Sequence, residues 1–86
     1  MKSDTPEARL LYIYSRNVEV RLVQLDTTHT ELANELGLSV NTVNRLKSHA
    51  ARFIDPGTLA ALVKHFKCTP NDLLTEQPGT NYTFKW

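Results

Sequence analysis

Residues 28–46 read THTELANELGLSVNTVNRL, and the punctuation of this stretch decides the architecture. Thr28 is placed as an N-cap, and Glu31, three residues on, is placed to reach back to it in a capping box. Leu32, Ala33 and Leu36 then put apolar atoms on one helical face. Gly37 enters the left-handed conformation without a Cβ penalty and stops that helix. Ser39 follows as a second N-cap, and Val43 and Leu46 face inward on the helix it starts. Two short helices joined by so tight a turn make a helix-turn-helix.

The second helix has two unlike sides. At about 100° per residue, Val43 and Leu46 share one side, while Asn41, Asn44, Arg45 and Ser48 share the other. This outer face is polar and able to bond bases. An Asn amide pairs with adenine and an Arg guanidinium forks onto guanine, each good pair giving about 1–3 kcal/mol of discrimination. Val40, at the start of the helix, offers a methyl contact to thymine. Phosphate contacts belong at the edges of such a surface. Thr28 and His29, at the positive end of the first motif helix, suit one strand, and Arg45, Ser48 and Arg52 suit the other. Lys47 projects sideways.

The motif resembles the lambda-repressor-like, Cro-type (Xre-type) helix-turn-helix regulators, through Thr28, Glu31, Leu32, Ala33, Gly37, Ser39, Thr42, Val43 and Leu46. Three positions depart from that pattern. His29 stands for a Gln, and His49 and Lys67 stand where a Gly often closes a helix. The resemblance implies an all-α, five-helix domain whose third helix, about residues 40–48, enters the major groove of double-stranded DNA. It gives the groove-entering role to Val40, Asn41 and Asn44, and with the residues read from the geometry the expected DNA-binding set is Thr28, His29, Ser39, Val40, Asn41, Thr42, Asn44, Arg45, Ser48 and Arg52. The resemblance covers about residues 17–75.

The rest of the chain supplies the expected scaffold. Asp55-Pro56 is a cap and first-turn proline, and Leu59, Leu62, Val63 and Phe66 recur with helical spacing, which predicts a helix over about 56–66. Lys67 then takes a left-handed position, and Thr69-Pro70-Asn71-Asp72 starts a short fifth helix through Leu73 and Leu74. At the other end, Thr5-Pro6-Glu7 reads as a helix start, and Leu11, Tyr14, Val18, Leu22 and Leu25 fit one helical stripe. A strand is the alternative for residues 10–14, and Val18, Val20 and Leu22 also alternate, with Ser15-Arg16-Asn17 as the turn. Helix is favoured, because the motif needs an element to cover its apolar side.

Pro78-Gly79 sets off a tail, so the chain divides into residues 1–76, the DNA-binding domain, and 77–86, an aromatic tail. Tyr82, Phe84 and Trp86 alternate there as in a short strand. They either fold back on this domain, beside residues 10–14, or bury against a second subunit as dimer contacts.

The net charge of the 86 residues is only +1, but it is unevenly placed. Residues 1–38 carry four Lys or Arg against six Asp or Glu, whereas 39–67 carry Arg45, Lys47, Arg52, Lys64 and Lys67 against Asp55 alone. A basic middle of this kind attracts phosphate more than the average suggests. No apolar run approaches the about 18 residues of a membrane span and no stretch reads as a basic, apolar, small-residue leader, so neither a span nor a signal peptide is expected. Cys68 is the one cysteine and reads as a packing residue in a reducing, cytoplasmic setting. No nucleophile motif or phosphate loop appears. His65 and Cys68 are two ligands where a structural zinc takes four, so no enzyme activity, metal, cofactor or small-molecule ligand is expected. The expectation is a transcription regulator, a repressor acting as a homodimer, of the kind carried by bacteria, phages or plasmids. The competing reading is a protein-interaction adaptor or antitoxin-like subunit built on the same fold.

Overall fold

In the computed structural model residues 5–82 are described, and they form five α-helices and no strand. These are α1 (Pro6–Gln24), α2 (His29–Leu36), α3 (Val40–Lys47), α4 (Pro56–Phe66) and α5 (Pro70–Leu74). Residues 10–14 are helical, and Ser15-Arg16-Asn17 is the middle of α1 rather than a turn. The helical stripe outweighs the alternation because Tyr14, Val18 and Leu22 all bury on one side of a single helix. Leu25 departs from that stripe. The helix ends at Gln24, Asp26 takes a left-handed φ of 53°, and the bend turns Leu25 outward to 55% exposure.

Each helix starts on the cap read from the sequence. Thr28 accepts from the Glu31 amide at 3.1 Å while its own amide donates to the Glu31 carboxylate at 3.0 Å, closing the capping box. Ser39 accepts from the Thr42 amide, Asp55 from Thr58, and Thr69 from Asp72, whose carboxylate caps Thr69 in return. Bonds from the Thr69 amide and hydroxyl, the amide foremost, hold the Asp72 carboxyl below its ordinary pKa. The helix ends at Gly37 and Lys67 are both left-handed, with φ of 67° and 55°.

The core is one cluster of Tyr14, Val18, Leu22, Leu32, Leu46, Leu62, Phe66 and Leu73, edged by Leu36, Ile54, Leu59, Val63, Cys68 and Leu74. Burying each Leu or Val contributes about 1.5–3 kcal/mol. α1 is the spine, packing on α3 along one part of its length and on α5 along another. Burial raises the Cys68 thiol pKa, which keeps it protonated, as befits a packing residue.

One polar residue inside this core was not singled out by its sequence. Asn17 is 3% exposed, and its amide nitrogen donates to the carbonyls of Leu73 at 3.0 Å and Thr75 at 2.8 Å. Its amide oxygen accepts from the Tyr82 hydroxyl, which in turn accepts from the Gln77 amide. Tyr82 also meets Tyr12 edge-on at 6.5 Å. The tail therefore folds back on its own chain through Tyr82, beside residues 10–14. Phe84 and Trp86 lie outside the described residues.

Candidate nucleic-acid interface

Helical geometry fixes the orientation of α3. Val43 and Leu46 are buried against α1 and α2, Asn41, Asn44, Arg45 and Ser48 are exposed on the opposite side, and Val40 is exposed at the flank of the first turn. Val40 is 73% exposed, a large apolar side chain left in water at the first turn. Ser39 and Thr42 are tied to one another, their hydroxyls 2.9 Å apart, so they fix the start of the helix. The Ser48 hydroxyl donates to the Asn44 carbonyl at 2.8 Å and keeps its lone pairs free to accept.

Two shallow grooves flank this face. One, about 150 Å³, is lined by Thr42, Arg45, Arg52, Phe53, Asp55 and Thr58 over a floor of Tyr14 and Leu46. It brings Arg45 and Arg52 together although they lie on a helix and a loop. Burial, with the Asp55 carboxylate adding to it, pushes the Tyr14 hydroxyl up to about 12, so it remains a neutral floor. The other groove, about 290 Å³, gathers Thr27, Thr28, His29 and Thr30 at the start of α2 with Lys47 and Glu19. Lys47 thus belongs with Thr28 and His29. A helical wheel points it only sideways, because such a wheel places a residue around its own axis and carries no information on the neighbouring helix. Basic residues flanking a helix N-terminus, where unpaired amides and the helix dipole meet, favour phosphate.

His29 has a buried Nε2 with no hydrogen-bond partner among the described residues. Burial lowers its pKa, opposed by Glu19 and assisted by Lys47 and His49. Among the described residues no group of three His, Cys, Asp or Glu is placed to hold a metal ion, and no helix is long and apolar enough to cross a membrane.

A polar helix face standing clear of an all-α domain, with Arg45 and Arg52 in the groove on one side and Lys47 beside the start of α2 on the other, is the arrangement of a helix-turn-helix DNA-binding protein. The chain belongs to the Cro/C1-type helix-turn-helix DNA-binding domain family, which it matches over residues 17–79. A curated relative, the uncharacterized HTH-type transcriptional regulator YozG of Bacillus subtilis (strain 168), is 33% identical over 58 residues, covering 67% of this chain and 69% of its own. No solved structure matches. The protein is a DNA-binding transcription regulator.

Proposed function

We propose that the protein represses transcription as a homodimer, reading a two-fold operator with α3 in the major groove of each half-site. The observation that carries this reading is the exposed row Asn41, Asn44, Arg45 and Ser48, set opposite the buried Val43 and Leu46 and flanked by the exposed Val40. In this reading Asn41 and Asn44 bond base edges, and Val40 touches a thymine methyl. Ser39 and Thr42 seat the start of the helix near the backbone. Thr28, His29 and Lys47 hold phosphates of one strand, and Arg45, Ser48 and Arg52 those of the other. A compact domain seated on an operator blocks polymerase by occupying its site.

Selection of bound duplexes from a random DNA pool tests this directly. The expected outcome is an inverted repeat with half-site centres one helical turn apart. Recovery of no preferred sequence would refute base reading. Asn41→Ala should weaken binding to the selected duplex by about 1–3 kcal/mol and leave random duplex unaffected. Equal loss on both would remove Asn41 from the reading set.

A further inference from the structure

Past the end of α3 stands a histidine in a backbone conformation that favours glycine. His49 has a φ of 58°, and for stopping a helix alone a glycine serves with less strain. The imidazole retained at that strained position is engaged from α1. Its Nε2 lies 3.1 Å from a Glu19 carboxylate oxygen, and its ring meets Tyr12 edge-on at 5.3 Å. The same Glu19 oxygen accepts from Arg16 at 2.8 Å. Arg16 in turn donates to the Asn81 carbonyl at 3.2 Å, which braces the anchor against the tail.

From these contacts we infer that His49 is a positioning residue for DNA recognition: Glu19 and Tyr12 hold the imidazole, and the imidazole fixes the angle of α3 against α1. The inference rests on α3 being the helix that enters the groove. α3 spans only eight residues, and its two buried side chains, Val43 and Leu46, lie within one turn of each other. The tight turn at Gly37 holds the start of the rod against α2 and these side chains hold its middle, which leaves its far end to be fixed. A third fixed point beyond that end fixes it, and bidentate base contacts tolerate little swing. The His49 Nε2 faces α1 rather than the reading face, so its effect is on where Asn41, Asn44 and Arg45 are aimed.

The test separates positioning from helix stopping, using the duplex that the wild-type protein selects, a random duplex and a salt series. His49→Gly should leave the thermal midpoint within a few degrees of wild type, because the relieved left-handed strain offsets the lost contacts to Glu19 and Tyr12. It should still lose about two- to tenfold in affinity for the selected duplex, the worth of one hydrogen bond. Binding to random duplex and the salt slope should not change. Undiminished affinity for the selected duplex overturns the inference, and so does a slope shallower by about one, which would make His49 a phosphate contact. Glu19→Ala supplies the second arm. Because it also removes a carboxylate from the phosphate groove, it is read as the ratio of selected- to random-duplex affinity: that ratio should fall as in His49→Gly, fall no further in the His49→Gly background, and be partly rescued by Glu19→Gln. Additive losses overturn the inference. If the wild-type protein selects no sequence, the groove reading itself has failed, and that outcome is distinct from these.

Discussion

His29 shows how one side chain can be legible in type and illegible in state. The sequence marks it as a histidine where the family resemblance places a glutamine, but its burial depends on α1 and α3 closing over the start of α2. That closure leaves Nε2 without a partner and lowers its pKa, burial being the main cause. A histidine whose folded pKa lies below its unfolded one binds its proton more tightly when unfolded. Its contribution to stability is therefore present above the ordinary imidazole pKa of about 6.5 and is lost as pH falls through the folded value. Urea unfolding of the wild type and His29→Gln between pH 7.5 and 5 should show the wild type losing more stability on acidification. A difference between the two that stays constant with pH would show that His29 does not carry this linkage. Asn17 is the opposite case, a residue whose type misled. Its polarity suggested a turn, yet it is buried because the carbonyls at the end of α5, nearly sixty residues away, need a donor.

At the scale of elements the sequence was most readable where the signal is local. Thr5, Thr28, Ser39, Asp55 and Thr69 each cap the helix expected of them, since a cap bonds an amide three residues away. α1 was harder to read, because alternating and four-residue spacings coexist in it and only its neighbours decide between them. The helix ends carry a further consequence. Lys67 and His49 share a left-handed backbone, but His49 holds Glu19 and Tyr12 whereas the Lys67 side chain is exposed. Lys67→Gly should therefore raise stability by about 0.5–1 kcal/mol, or the thermal midpoint by a few degrees, because a strained residue gives way to one that accepts that φ. DNA affinity should not change. A fall in the midpoint would show that the Lys67 side chain contributes more than its backbone costs.

At the scale of the whole molecule, the proposed two-fold operator requires two copies whose reading helices lie about one turn of DNA apart, roughly 34–36 Å. Solution mass should be twice the 9.8 kDa of one chain, and removing residues 80–86 tests whether the aromatic tail joins the copies. Loss of the dimer would assign the contact to the tail, with Phe84 and Trp86 as its candidates, since Tyr82 is engaged within its own chain. An unchanged mass would send the interface elsewhere on the surface. The tail's aromatic alternation was visible in the sequence, but the bond that returns it to Asn17 was not, because nothing local marks a contact across 65 residues.

The Asn17 amide also sets an order in time. Its acceptors at Leu73 and Thr75 are 56 and 58 residues downstream, so a ribosome completes α1, α2 and α3 well before it makes the segment that locks them. Until then Leu32 and Leu46 cover the Tyr14, Val18 and Leu22 stripe only in part, and the side that awaits Leu62, Phe66 and Leu73 is a natural ligand for a chaperone. Closing so long a loop delays the native arrangement until α5 has emerged. A message broken upstream of the codon for Leu73 would thus yield a polypeptide that contains every base-reading side chain and still lacks a fixed platform from which to read.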